Sequence, residues 1–410
     1  MYVLLTAAAL LVTATVNPKC SPPYDDCTDS VQASLDSCAT EVDIYPLPGQ
    51  QSWPVLPLHV TCDNQKIVLH AGVILEAKRW AFNASSATLL TLDGVSNVSI
   101  SGNGAALRMH RADYDNPKWY KYAQGRHGIA LRGVRHVSIS GLTVSETGGD
   151  GVYITKSYKW KSASWSQNII MDGMTLSRNY RQGMSVIAVD GLTVTNTLLS
   201  ETGSEGMGHP PMAGVDFEPN DETQPLRGVR FTNVTARNNT GRGFQWSLTH
   251  NTPQTPPLDI VFERCVVEGG GSYGISLSGS GHGGVPTGGK LQLLDMHVSL
   301  NNASGLLIEN KNGGPMMVLK NLTLDRVARN GGAPIWLEGQ SHLCTGASFD
   351  AVTIEDDRDR IPINAMGNLS RMSGAIQVHN TLLTKEHCKS SHQLLPNVTI
   401  SCNATTSISK

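Results

Sequence analysis

Two carboxylates stand two residues apart in the string Gly214-Val-Asp-Phe-Glu-Pro-Asn220, namely Asp216 and Glu218. On an extended strand, residues i and i+2 share a face, so the Cβ atoms of this pair lie roughly 6.5 Å apart. Carboxyls so close raise one another's pKa unequally and can divide acid and base roles. That separation sits near the lower end of the ~6.5–9.5 Å of inverting glycosidases and above the ~5 Å of retaining ones, so hydrolysis of a glycosidic bond is the chemistry it suggests. Two other readings stay open. A solvated strand face needs no function for its acids, and Asp216, Glu218 and Asn220 are also oxygen ligands suited to calcium.

The strand that would hold this pair belongs to a repeat. Segments opening with glycine read Gly128-Ile-Ala-Leu131, Gly151-Val-Tyr-Ile154, Gly183-Met-Ser-Val186, Gly214-Val-Asp-Phe217, Gly243-Phe-Gln-Trp246, Gly274-Ile-Ser-Leu277 and Gly305-Leu-Leu-Ile308, at spacings of 23, 32, 31, 29, 31 and 31 residues. Apolar residues one and three places after each glycine point into a shared core, and the residues between them point outward. A second strand recurs in each unit, as in Val137-Ser-Ile-Ser-Gly-Leu-Thr-Val144 and Val229-Arg-Phe-Thr-Asn-Val234. Repeats of this length with short strands and no helix bury their apolar faces only by stacking rung on rung. The expected fold is therefore all-β, a right-handed parallel β-helix, with a short capping helix across Thr28 to Cys38 at its N-terminal end. Leucine-rich and propeller repeats have other signatures and lengths.

Stacking aligns further candidates beside the acidic strand. The outward column two places past each glycine runs Ala130, Tyr153, Ser185, Asp216, Gln245, Ser276 and Leu307. The column just ahead of the glycines includes His127, Asp150, Gln182 and Arg242, residues that would wall a groove. Asp150 is two rungs from Asp216, about 10 Å along the axis, and is read as a third catalytic acid. Arg126, Arg181 and Arg242 could bind a sugar acid through bidentate contacts or balance the carboxylates. With His127, Tyr153, Gln182 and Gln245 they form the expected substrate-binding set. Asn179, Asn239 and Asn301 recur four places before a glycine and read as a structural ladder of turn amides. Two longer excursions, 109–122 with its aromatics and 205–211 with His209, would frame the groove.

A formal charge of −2, from 32 Lys plus Arg against 34 Asp plus Glu, provides no field for nucleic acid. The apolar N-terminal run of about a dozen residues is shorter than the ~20 that span a bilayer, so residues 1–14 read as a signal peptide and no membrane insertion is expected. Eight cysteines, without a Cys-x-x-Cys pair, and nine Asn-x-Ser/Thr sequons agree with secretion to an oxidising, extracellular setting. The expected organisation is a cap segment over 15–66, a β-helix domain over 67–385 and a C-terminal cap or tail over 386–410.

The strings Gly148-Gly-Asp-Gly-Val-Tyr-Ile154, Arg178-Asn-Tyr-Arg-Gln-Gly-Met-Ser-Val186 and Pro211-Met-Ala-Gly-Val-Asp-Phe-Glu-Pro-Asn220 resemble the β-helix repeat proteins of the pectin-lyase-like superfamily. The likeness covers about residues 60 to 330. It implies a polysaccharide or glycan partner and, first, a glycoside hydrolase using Asp216 and Glu218 with Asp150. A polysaccharide lyase or epimerase acting on a uronate-containing glycan is the alternative, with His127, Tyr153 or Lys156 as base. A third is a non-catalytic glycan-binding solenoid. The Asn-Thr-Asp string of polygalacturonases is absent, which departs from that hydrolase pattern. No cofactor is expected apart from the calcium option.

Overall fold

A computed structural model describes residues 15–157, 164–204, 206, 208–279, 288–309, 314–339, 346–390 and 395–403. The expected signal peptide lies outside these residues. One rung consists of Ile129–Arg132, Arg135–Ser140 and Thr143–Ser145, one strand on each of three faces. Each pairs in parallel with its counterpart in the next rung, Val152–Ser157, Ser164–Asp172 and Thr175–Ser177. The chain is a parallel β-helix. Consecutive strands form an antiparallel contact where Lys156 and Ser157 meet Trp165 and Ser164, a local excursion from the solenoid.

The glycine column has a steric cause. A Cβ on Gly183 would stand 2.5 Å from the Gly214 carbonyl oxygen, and one on Gly214 would stand 2.7 Å from that of Gly243. Rungs pack so closely at this turn that any side chain would separate them. Register follows the repeat: Asp216 pairs with Ser185 on one side and Gln245 on the other. Val215, Phe217, Phe244 and Trp246 therefore point inward and are fully buried. Phe217 stacks on Trp246 with ring centroids 5.5 Å apart, and Phe231 and Phe262 close around them.

The turns are held by asparagines. Asn179 and Asn239 accept the backbone N–H groups of Thr147 and Thr202, and Asn301 donates to the Gly269 carbonyl at 2.8 Å. All three are buried, as a structural ladder requires.

The N-terminal end is covered by the helix Thr28–Asp36, whose Val31 and Leu35 join the core beside Val42 and Leu58. Disulfides Cys20–Cys27 and Cys38–Cys62 flank that helix, and Cys388–Cys402 ties the last strand. Cys265 is a buried free thiol, and Cys344 lies outside the described residues. Parallel pairing already joins Glu41–Ile44 to Lys66–Leu69 and still joins Met372–His379 to Val398–Asn403. The ladder thus overruns both expected limits, 67 and 385, because the end segments also carry strand alternation. No helix among the described residues is long and apolar enough to cross a membrane.

Candidate active site

Asp216 points away from the core, yet it is fully buried. One carboxyl oxygen accepts from Gln182 Nε2 at 3.0 Å, and the other, Oδ1, is buried without a partner among the described residues. Gln182 is itself fixed, because its Oε1 accepts the Ala213 backbone N–H at 2.7 Å. Burial, then the charge of Glu218, push the Asp216 pKa well above its ordinary 3.8, against the pull of Arg181. In a medium of low dielectric the neutral acid is the favoured form.

Arg181 joins the three acids. Its guanidinium stands 3.5 Å from Asp150 Oδ2 and donates to Glu218 Oε2 at 3.1 Å. Burial alone would lower the arginine's pKa, but Asp150, Asp216 and Glu218 together raise it. Asp150 is fully buried, and that burial lifts it to about 6 in spite of Arg181. Glu218 differs from both, with 35% of its side chain exposed.

His127 and Tyr153 stack face to face at 4.5 Å beside these carboxyls. His127 Nδ1 accepts the Asp150 backbone N–H at 3.1 Å and lies 3.3 Å from the Asp150 carboxyl. Burial, then Arg181 and Arg132, push the ring down to about 3. The imidazole is therefore neutral, and its approach to Asp150 is a contact without an ion pair.

Cover comes from the two excursions. Tyr114 packs against the turn ahead of Asp150, where a Cβ on Gly148 would stand 2.6 Å from its ring. His209 Nε2 meets the Gln124 amide at 2.8 Å, and its ring lies 4.8 Å from that of Tyr122. Trp119 and Tyr122 stay largely exposed on this lip, as does Trp80, which packs edge-on against Trp119. Glu205 and Met207 of the second excursion lie outside the described residues. Between the lip and the strands is an open cavity of about 230 Å³, lined by Gln124, His127, Tyr153, Arg181, Glu218 and Asn220 among others.

Comparison with known proteins identifies the fold that carries these residues. Residues 93–318, more than half of the chain, match the family described as "Right handed beta helix region". The chain belongs to the right-handed β-helix family. Among solved structures it is similar to a Family 28 exopolygalacturonase from Yersinia enterocolitica, with 14% identity, a TM-score of 0.57, and coverage of 95% of this chain and 78% of that one. It is also similar to the A-module of mannuronan C-5 epimerase AlgE4 from Azotobacter vinelandii, with 13% identity, a TM-score of 0.59, and coverage of 92% and 96%. A tailspike of Acinetobacter baumannii bacteriophage Fri1, a capsular polysaccharide depolymerase, aligns at 12% identity and a TM-score of 0.52 over 85% and 60% of the two chains. No curated protein matches the sequence.

On this right-handed β-helix, three of the expected contact residues turn elsewhere. Arg126 is buried and donates to the carbonyls of Phe82, Asn83 and Lys121, between the rings of Tyr114 and Tyr120, so it braces the lip. Gln182 holds Asp216 instead of lining the cavity. Gln245 is buried and accepts from Arg242 at 3.2 Å, with Arg242 set over the Tyr273 ring. Asp150 and Asp216 lie beneath the cavity and Glu218 opens into it. Calcium is poorly served by Asp216, Glu218 and Asn220: Gln182 holds the first, Arg181 holds the second, and the arginine's charge opposes a cation beside it.

Proposed function

We propose that this β-helix is a carbohydrate-active enzyme that hydrolyses glycosidic bonds by acid–base catalysis. One observation carries the reading: Asp216, on the strand Val215–Phe217, and Glu218, just past its end, stand two residues apart in different environments. Burial raises the Asp216 pKa well above its ordinary value, which suits a general acid, whereas Glu218 is ion-paired with Arg181 at the cavity wall, which suits a base. Asp150, the third acid, tunes the pair through Arg181. Structural neighbours whose names place them on polysaccharides support the substrate class. The three disulfides support an extracellular setting.

A second reading has its own support. Tyr153, stacked on neutral His127 at the cavity, is the candidate base for removing a C5 proton from a uronate, as a lyase or epimerase requires, since the His127 ring lone pair is taken by the Asp150 backbone N–H. The test is turnover on a panel of neutral and uronate polysaccharides, with and without chelator. Asp216→Asn and Glu218→Gln should each lower turnover by about 10²-fold or more, without additivity in the double variant. Full activity in both would overturn the roles of Asp216 and Glu218, and products absorbing in the ultraviolet would overturn hydrolysis. Absence of turnover on every substrate would favour a glycan-binding solenoid.

A further inference from the structure

The outward ladder that contains Asp216 continues well beyond the acidic site. Its register runs Asp216, Gln245, Ser276, Leu307, Trp336 and Asn364 on successive rungs. Trp336 is four rungs from Asp216, or about 19 Å along the axis. There the same face opens into a cavity of about 580 Å³, with Gly332, Trp336, Arg358, Asp359, Asn364 and His387 among its lining.

The chemistry of this lining is specific. Trp336 presents an indole whose N–H is buried and has no acceptor among the described residues. That N–H faces away from the open space, while the ring itself is half-buried and lines the cavity, so what Trp336 offers there is an apolar aromatic surface on which a sugar ring stacks. His387 Nδ1 stands 2.9 Å from Asp359 Oδ1, an arrangement that leaves Nε2 as the ring's outer nitrogen. Arg360 fixes the wall by donating to the carbonyls of Val327, Ala328 and Gly332 and to Asp356, so the cavity is built before any ligand arrives. A flat apolar ring, hydrogen-bonding groups around it and a rigid wall are what a sugar ring needs: its C–H face stacks and its hydroxyls reach the rim.

We propose that the Trp336 cavity is a second carbohydrate-binding site, which takes sugar rings of the same polysaccharide that crosses Glu218. The ligand class rests on the carbohydrate reading above, and the occupant on continuity of one strand face between the two sites. Several sugar units would span the interval, so the site favours long chains over short ones.

The test is affinity electrophoresis of the full-length protein in native gels that contain polygalacturonate, alginate or galactomannan. The wild type should be retarded in at least one gel. Trp336→Ala should weaken that retardation by about fivefold to tenfold, the range a stacking contact supplies. His387→Ala, on the exposed rim, should weaken it as well with an unchanged melting temperature, which separates lost binding from lost fold. Asp190→Asn, on a different face, should be retarded as much as the wild type when each is compared with its own migration in a gel without polysaccharide. The proposal fails if both cavity variants migrate like the wild type, or if no gel retards the wild type. If Asp216→Asn and Glu218→Gln keep full turnover while the cavity variants lose retardation, the acid–base reading fails and the second site stands.

Discussion

Two faces of one solenoid carry outward acids and treat them in opposite ways. On the second face, Asp190 pairs with Arg227 and Asp259 with Arg230, side chains that are all more than a third exposed. On the first face, Glu218 is exposed to a similar degree, but Asp216 is fully buried although its side chain also leaves the core. The strand geometry is shared. What differs is the cover: the excursion with Tyr114, Gln124 and Arg126 lies over the first face, and among the described residues no such excursion overlies Asp190. Removing water turns an ordinary carboxylate into a proton-holding acid. The β-helix sets direction, and its loops set chemistry.

The comparison depends first on the alternation of inward and outward positions, and the largest expected effect tests that. Trp246→Ala should destabilise the fold by about 3–5 kcal/mol in denaturant unfolding, because its ring is fully buried against Phe217 and Phe262. A loss under about 1 kcal/mol would mean that the register is shifted by one residue and that the two faces are exchanged.

Next comes the burial of Asp150. Its folded pKa of about 6 lies above the ordinary 3.8, so between those values the native state holds a proton that the unfolded chain releases. The associated stability is full below about pH 4 and is lost as pH rises through about 6. Measured as wild type minus Asp150→Asn, the difference should fall by about 3 kcal/mol across that window. A flat difference would place Asp150 in solvent.

The smallest effect belongs to the open face. Asp190→Asn should cost about 1 kcal/mol or less, and salt should reduce it further, as for exposed ion pairs in general. A loss of several kcal/mol, insensitive to salt, would show that the second face is not the solvated reference it is taken to be.

Much of this was legible in the sequence where a local rule governs. The glycine column, the inward pairs such as Val215 with Phe217, and the outward neighbours of Asp216 all follow from period two and from a turn that excludes side chains. The asparagine turn ladder was legible for the same reason. Arg126 was not: position beside Gly128 gives its place on a rung, but its carbonyl partners Phe82 and Asn83 come from more than 40 residues away. Gln182 and Gln245 were placed correctly on the ladder, yet each bonds to a neighbouring side chain, which spacing alone does not reveal. The shift of Asp216 depends on burial beside Gln182, Glu218, Arg181 and Asp150, side chains from neighbouring rungs whose convergence is tertiary. The Trp336 cavity was missed because its walls, Arg358 and His387, arrive from separate turns beyond the clear repeats. Following the outward column one rung past Leu307 would have reached its tryptophan.

The central claim is that cover on the first face makes Asp216 a proton-holding acid. Carboxyl carbon NMR on protein labelled at aspartate, with Asp216→Asn and Asp190→Asn used for assignment, measures this without a substrate. Asp216 is predicted to titrate well above 3.8, and its midpoint should move down when Glu218→Gln removes the neighbouring charge. An Asp216 resonance that titrates at or below 3.8 would contradict the account.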